Sequence, residues 1–293
     1  MIAIFGASGN TGGTAAASLL KAGKKVRVVG RSKEKLARLI EAGAESALGD
    51  IENPSFIKSA LAGADSAYVL IPPNMVTDDF RAYQRRVVDS FVGAIEATGV
   101  RHVVLLSSAG AHHREGTGPI VALHAFEERL AKVASLNALF LRAGFFMENV
   151  LMSLALIKGQ GIYPGPMPAE VAVPMIASAD IGNYAASRLA RLDFSGKSVM
   201  HIVGPRPVSQ TDLVSILSQA VDKPIRYQQV SLDDVEKGLV HAGMKSVTVA
   251  LFMEMYRGAG QGLVAPEAGG PIVQGSTTFE TFAKQVFAPA YRA

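Results

Sequence analysis

Residues 2–13 read IAIFGASGNTGG, and this stretch decides the fold. Its first four residues, Ile2 to Phe5, are apolar, as in a buried strand. Three glycines follow at a regular spacing, and an apolar-periodic run with helix-forming residues then extends from Thr14 to Ala22. A strand, a glycine turn and a helix are the parts of a unit that binds a mononucleotide.

Each of the three glycines has its own steric role in such a unit. Gly6 lets the chain turn sharply off the strand, Gly9 leaves room for a pyrophosphate, and Gly12 allows the helix to pack closely on the sheet. The helix N-terminus then offers unpaired N–H groups and a partial positive charge to the phosphates. An ordinary tight turn between strand and helix would use the same glycines, so the rest of the chain has to decide.

The composition is that of a globular protein. The chain has 293 residues, of which 49% are hydrophobic and 18% charged, enough for one large domain or two fused ones. Its net charge of +4 comes from scattered basic residues, so we expect no nucleic-acid partner. The absence of cysteine excludes disulfides and thiolate chemistry. We find neither a leader nor an apolar span that could cross a bilayer, and predict a cytoplasmic protein without membrane contact.

The first half of the chain alternates predicted strands with predicted helices. Further strands are predicted at 25–29, 46–48, 67–71, 102–106 and 138–141, and helices at 33–42, from Asn53-Pro54 onwards, at 80–98 and at 119–134. Apolar strands separated by helices favour a parallel sheet covered on both faces. We therefore predict an α/β fold with a doubly wound parallel sheet, the Rossmann class.

The second half of the chain has a different pattern of predicted elements. Helical periodicity is predicted at 147–158, from Ser178 onwards and at 277–286, a strand at 199–203 that returns to the sheet, and a mobile glycine-rich loop at 258–275. Helices and loops after a parallel sheet suggest a smaller cap over the carboxyl ends of the strands. We therefore predict a dinucleotide-binding domain at 1–150 and a mainly helical, substrate-binding cap at 151–293.

The residues after the second predicted strand indicate the cofactor. An NAD site usually has a carboxylate there for the ribose hydroxyls, whereas this chain has Arg31, with Lys35 one turn later. A guanidinium can pair bidentately with a 2′-phosphate, so we predict NADP(H) rather than NAD. The alternative is a surface arginine at a helix start.

Two further strand ends supply predicted cofactor contacts. Asp50 and Ile51 follow the third predicted strand, where an adenine is usually bound, and helix capping by Asp50 is the alternative. The segment Ile71-Pro72-Pro73 ends the fourth predicted strand and would pass beside the riboses. These positions support one another because each lies at the carboxyl end of a strand.

The chain resembles the NmrA-like members of the atypical short-chain dehydrogenase/reductase superfamily. The resemblance lies in GASGNTG at 6–12, GR at 30–31, GD at 49–50, LRAGFFMEN at 141–149 and ASADIG at 177–182. Within that family it is most similar to NADPH-dependent quinone reductases and triphenylmethane reductases. The segment HAFEE at 124–128 resembles their helix after the fifth strand, which carries a histidine and, four residues on, a glutamate.

This resemblance implies NADP(H) binding, with the nicotinamide near Ser107-Ser108 and Phe145-Phe146. The complete set of predicted cofactor residues is Gly6, Ser8, Gly9, Asn10, Thr11, Gly12, Arg31, Lys35, Asp50, Ile51, Ile71, Pro72, Pro73, Ser107, Ser108, Phe145 and Phe146. The chain departs from the wider superfamily in lacking its Tyr-x-x-x-Lys pair. Alcohol–ketone chemistry through a tyrosinate, and with it a sugar-nucleotide epimerase, is therefore not expected.

His124 and Glu128 are the predicted catalytic residues. An imidazole titrates near neutral pH, so His124 is the best candidate for proton donation or substrate orientation. Glu128, four residues on, shares its helical face and could hold the ring. A purely structural histidine is the alternative. His112-His113 has no further ligands at useful spacing, so we predict no metal site.

Taken together, these observations predict an NADPH-dependent reductase that transfers hydride to a quinone or a similar planar electron acceptor. The alternative is an NADP-binding redox sensor that does not turn over and whose cap contacts a regulatory partner. A small planar substrate is the expected partner, and a homodimer is left open.

Overall fold

The computed structural model describes residues 1–293 and shows strands alternating with helices through most of the chain. The strands are β1 (Ile2–Phe5), β2 (Val26–Gly30), β3 (Glu45–Leu48), β4 (Ser66–Val69), β5 (His102–Ser108), β6 (Asn137–Ala143), β7 (Phe145–Phe146), β8 (Ile162–Gly165), β9 (Met175–Ile176), β10 (Lys197–Val203), β11 (Arg226–Gln229) and β12 (Ile272–Gln274). The helices are α1 (Asn10–Lys21), α2 (Lys33–Glu41), α3 (Pro54–Leu61), α4 (Phe80–Thr98), α5 (Val121–Lys132), α6 (Leu154–Gln160), α7 (Ser178–Arg191), α8 (Gln210–Val221), α9 (Leu232–His241), α10 (Ser246–Gly260), α11 (Phe279–Phe282) and α12 (Ala288–Arg292).

Eight of the strands form one parallel sheet in the order β12-β10-β6-β5-β4-β1-β2-β3. The chain moves outward from β1 in one direction through β2 and β3, and in the other direction through β4, β5 and β6. The strand order therefore reverses at β1, and the carboxyl ends of β1 and β4 flank the crevice where such sheets bind ligands. This is the doubly wound parallel sheet that the sequence predicts, and that prediction is confirmed.

Each face of the sheet carries its own apolar core. The strand β1 shows the alternation, because Ala3 and Phe5 pack towards α3, α4 and α5, whereas Ile2 and Ile4 pack towards α1 and α7. A third apolar cluster lies among α8, α11 and α12, around Leu217, Phe282 and Phe287. Among the helices, none combines the length and the apolar character needed to span a lipid bilayer.

The second half of the chain contributes to the sheet as well as to the third cluster. Strand β10 pairs with β6, as predicted for residues 199–203. Helix α7 packs directly on α1, and a Cβ atom at Gly182 would lie 2.5 Å from the Thr11 carbonyl oxygen. Residues from both sides of position 150 therefore share one core, and the division of the chain into two domains at that position stays a prediction.

The predicted mobile loop over 258–275 is wrong at both of its ends. Helix α10 extends to Gly260, and Ile272–Gln274 form β12, the edge strand that pairs with β10. The apolar pair Ile272 and Val273 suits a strand, and the His201 N–H fixes its start by donating to the Pro271 carbonyl at 2.9 Å. The predicted helix over 147–158 also differs, because Met147–Ser153 is a 3-10 segment that precedes α6.

Candidate functional site

The glycine turn between β1 and α1 has the geometry that its spacing predicts. Gly6 has a φ of +66°, which favours glycine, and the Gly9 N–H donates to its carbonyl at 2.9 Å. A Cβ atom at Gly12 would lie 2.5 Å from the Gly6 carbonyl oxygen and 2.9 Å from that of Phe5. Gly12 therefore lets α1 start directly against the end of β1.

The N-terminus of α1 is open for a ligand. Its N-cap is Gly9, which has no side chain to accept from the first-turn amides. Ser8, Gly9 and Asn10 are exposed at this point, and no acidic residue lies in the first turn. Unpaired amides and the positive end of the helix dipole at an exposed turn fit the pyrophosphate of a dinucleotide.

Arg31 lies at the carboxyl end of β2 with a free side chain. It is exposed and takes part in none of the ion pairs of the protein. Arg86 on α4, in contrast, donates twice to Glu52, at 2.9 and 2.7 Å. Lys35 is exposed one turn into α2, and Ser32 caps that helix by accepting from the Lys35 N–H at 3.3 Å. The two free cations fit a phosphate group at this edge of the sheet.

Asp50 does not cap the following helix. Its Oδ1 accepts from the Glu52 N–H at 2.9 Å within the turn after β3. The cap of α3 is Asn53, whose Oδ1 accepts from the Ser55 and Phe56 amides at 3.0 and 3.3 Å. The capping alternative for Asp50 is therefore wrong, and its second carboxylate oxygen is free of protein partners. Ile51 next to it is half-buried.

The segment 71–73 is held in place from α4. The Tyr83 hydroxyl donates to the Pro72 carbonyl at 2.9 Å. Burial, assisted by the charge of Glu52, raises the pKa of Tyr83 to about 12, so the hydroxyl keeps its proton. Ile71 and Pro72 are half-buried, and Pro73 is exposed, beside the carboxyl ends of β1 and β4.

The remaining predicted cofactor residues lie further along the same edge, at the end of β5 and just after β6. Ser107 is buried, and its hydroxyl donates to Glu127 Oε1 at 2.5 Å instead of facing the crevice. The Ser108 hydroxyl donates to the Ala109 carbonyl at 2.9 Å. Phe146 is half-buried, whereas Phe145 is 42% exposed and so presents an apolar ring.

His124 is oriented by the loop after β5. Its Nδ1–H donates to the Ala111 carbonyl at 2.9 Å, which leaves Nε2 for a second proton. Nε2 has no hydrogen-bond partner and lies 3.5 Å from Glu128 Oε1. Glu128 also pairs with Arg114 at 2.9 Å. The structure thus brings the two predicted catalytic side chains together, as expected for positions four apart on a helix.

Sequence reasoning missed a buried polar network next to these residues. Arg142 donates from Nε and Nη2 to the two oxygens of Glu127, at 3.1 and 2.7 Å, and from Nη1 to Glu267 at 2.8 Å. The Glu267 N–H in turn donates to Nε2 of the buried His201 at 3.2 Å. Burial favours a neutral Arg142, but the hydrogen bonds and charges of both carboxylates outweigh it and raise the pKa of Arg142.

The motifs at 141–149 and 177–182 also have structural functions. Glu148 accepts from the Ser178 N–H at 3.0 Å and from its hydroxyl, and thereby supplies the cap that Ala177 cannot give to α7. Asp180 accepts from the Thr277 N–H at 2.8 Å and from its hydroxyl at 3.0 Å, which ties the C-terminal segment to α7. The structure brings no three metal-binding side chains together.

The sheet order and the open glycine turn define a protein of the Rossmann class. Residues 1–262 match the NmrA-like family, and the chain belongs to that family. A related sequence is the NAD(P)H azoreductase of Xenophilus azovorans, which is 26% identical over 258 residues, 87% of this chain and 86% of the relative.

Solved structures share the fold over nearly the whole chain. The NADPH-dependent quinone oxidoreductase of Escherichia coli, complexed with NADPH, has a TM-score of 0.79 at 23% identity, covering 98% of this chain and 100% of that one. The Citrobacter sp. triphenylmethane reductase, complexed with NADP(H), has a TM-score of 0.81 at 22% identity, covering 97% and 99%.

Proposed function

We propose that the protein is an NADPH-dependent reductase that transfers hydride to a quinone or a similar planar electron acceptor. The observation that carries this proposal is the pairing of an uncapped, exposed α1 N-terminus with a free Arg31 at the end of the next strand. The first fits a pyrophosphate, and the second fits the 2′-phosphate that distinguishes NADP from NAD.

Different residues of the chain bind different parts of the cofactor. Amides of Asn10 and Thr11 bind the pyrophosphate, and Arg31 with Lys35 binds the 2′-phosphate. Asp50 offers its free oxygen to the exocyclic amine of the adenine. The bound nicotinamide supplies the hydride, and the protein orients it and excludes water.

The acceptor class rests on the relatives and on one exposed ring. The related proteins are named as reductases of azo compounds, quinones and triphenylmethane dyes, which share a flat conjugated system. Phe145 leaves β6 at the same edge and is 42% exposed, so it offers a stacking surface to such a molecule. Residues 151–293 then supply most of the remaining acceptor contacts, in keeping with the division of the chain predicted at position 150.

His124 is the proposed proton donor or orienting residue. Because Nδ1–H stays bound to the Ala111 carbonyl, the ring can lose a proton only from Nε2, and it then becomes the neutral tautomer already held by that bond. Glu128, with Oε1 at 3.5 Å from Nε2, helps to orient the ring. A quinone needs little acid assistance, so this contribution to the rate is expected to be modest.

The second candidate function is an NADP-binding sensor without turnover. It is favoured by the burial of His124 Nε2, which has no accessible surface, and by the engagement of Glu128 with Arg114. A protein without an accessible proton donor could still bind the cofactor and report its redox state.

The test is to mix the purified protein with NADPH and a panel of quinones and to follow the absorbance of NADPH. The reductase proposal expects consumption that depends on the quinone and is slower with NADH. Tight NADPH binding without consumption across the panel would contradict it and favour the sensor.

A further inference from the structure

The segment 261–271 crosses the carboxyl ends of three strands, and we call it the strap. It starts after α10, where the Leu263 carbonyl lies against Gly110, in the loop after β5. It continues past Arg142 on β6, and it ends at Pro271, whose carbonyl accepts from the His201 N–H of β10 at 2.9 Å. The strap therefore lies beside the loop that follows β5 and beside the last residues of β6.

Glu267 makes the polar contacts that hold the middle of the strap. Its carboxylate accepts from Arg142 Nη1 at 2.8 Å, and its N–H donates to His201 Nε2 at 3.2 Å. The backbone contributes little else there. Within residues 264–270 there is only one backbone–backbone hydrogen bond, from the Gly270 N–H to the Glu267 carbonyl. The side chain of Glu267 thus fastens the strap to β6.

The two carboxylates on Arg142 differ in how easily they can leave it. The side chains of Arg142 and Glu127 are 7% and 6% exposed, so separating them would leave buried charges without partners. The side chain of Glu267 is 49% exposed, so water can replace Arg142 on that carboxylate. Arg142 stays compensated by Glu127 in either case. The strap can therefore detach at Glu267 while the rest of the network keeps its arrangement.

We propose that Glu267 is a positioning residue, a releasable latch that fastens the strap over the acceptor end of the site. This inference rests on the proposed reductase function. With the latch fastened, the strap closes the space next to the loop after β5 and the end of β6, and holds the acceptor there. With the latch released, the strap lifts and the acceptor exchanges with solvent. The phosphates and the adenine, through which NADPH is proposed to be held, bind at the other end of the crevice, so the affinity for NADPH does not depend on the latch.

The test compares Glu267→Ala with Glu280→Ala as a matched control. Glu280 pairs with Arg206 at 2.7 Å and is 44% exposed, close to the 2.8 Å and 49% of Glu267, but it lies on α11 away from the strap. Hydrogen exchange is measured on the peptides that cover 261–271. Menadione is titrated into the protein saturated with NADP⁺, and NADPH is titrated separately, so that no turnover is required.

For Glu267→Ala we expect the rate of hydrogen exchange in the strap to rise about three- to five-fold. The Kd of menadione should rise by the same factor, because a half-exposed ion pair contributes a free energy of about this size. The Kd of NADPH stays within about two-fold, and Glu280→Ala changes none of these quantities. Unchanged exchange in the strap, an unchanged Kd for menadione, or a wild-type protein that does not bind menadione would each overturn the inference. A wild-type protein that binds menadione but consumes no NADPH would refute the proposed function alone.

Discussion

At the residue scale, Arg31 carries the predicted preference for NADPH. Its side chain is exposed and unpaired at the end of β2, so its loss should remove charge-assisted hydrogen bonds without disturbing the fold. We expect Arg31→Ala to weaken NADPH binding by about 10- to 100-fold and to leave NADH binding unchanged. Calorimetric titration of both nucleotides checks this, with Arg38→Ala, an exposed arginine on the following helix α2, as the control. Equal weakening of both nucleotides would contradict the assignment.

Glu127 and Glu128 are neighbours in the chain but are expected to differ strongly in their effect on stability. Glu127 is buried against Arg142, and the removal of one partner of a buried pair costs about 3–5 kcal/mol. Glu128 is 44% exposed, and its pair with Arg114 is worth about 1 kcal/mol or less. We therefore expect Glu127→Gln to lower the free energy of unfolding in urea far more than Glu128→Gln does. Similar values for the two variants would contradict the structural role of the network.

The same two glutamates show what could be predicted from sequence at this scale. The resemblance of the segment 124–128 and the spacing of four residues on one helix predict His124 and Glu128, but they do not single out Glu127. A signal for it exists, since Glu127 falls on the helix face that also carries Phe126 and Leu130, and Arg142 interrupts an apolar strand. Charged residues at core positions indicate a buried partner. Glu267 gives no such signal, because 125 residues separate it from Arg142.

At the element scale, the contact between α1 and α7 depends on Gly182. A Cβ atom there would lie 2.5 Å from the Thr11 carbonyl oxygen and 2.7 Å from Thr14 Cβ. Both atoms belong to the packed helix α1, which cannot easily move to relieve these contacts. We expect Gly182→Ala to lower the free energy of unfolding by about 1–3 kcal/mol. Gly238→Ala on the exposed α9, where a Cβ meets nothing within 4 Å, should instead raise it by about 0.5–1 kcal/mol. Urea unfolding of both variants measures the difference, and a stabilising Gly182→Ala would contradict the close packing of the helices.

Helices with clear capping residues could be predicted from the sequence. A strand that depends on pairing with a residue far away in the chain could not. Helix α4 has the predicted bounds because Asp79 accepts from the Ala82 N–H at 2.8 Å and Gly99 has a φ of +68°. Ser209 and Ser231 likewise cap α8 and α9. Strand β12 has only three residues among glycines and prolines, so pairing with β10 defines it rather than local propensity.

At the scale of the whole molecule, three histidines make stability depend on pH. The pKa values of His102, His112 and His201 are lowered. Burial is the largest cause, and neighbouring positive charge is the second. His201 is faced by Arg142 and His112, which lower its pKa, and by Glu267, which opposes them. The unfolded state therefore takes up protons first as the pH falls below about 6.5, and the free energy of unfolding must decrease there.

This prediction is checked by urea unfolding at about pH 7.5 and about pH 5.5. The carboxylates whose pKa is lowered, such as Asp65 and Asp193, keep their contribution down to about pH 4, below this window. We expect a smaller decrease in His201→Gln than in the wild type, and an unaltered decrease in His241→Gln, whose ring is exposed on α9. A free energy of unfolding that is higher at about pH 5.5 than at about pH 7.5 would contradict the lowered pKa values of these histidines.

The proposed function requires NADPH to bind at the edge where β1 meets α1, and titration calorimetry measures that binding. We expect NADPH to bind at a single site and at least about ten-fold more tightly than NADH, because only NADPH has the 2′-phosphate that Arg31 and Lys35 are proposed to bind. No heat with either nucleotide, or equal affinity for both, would contradict it.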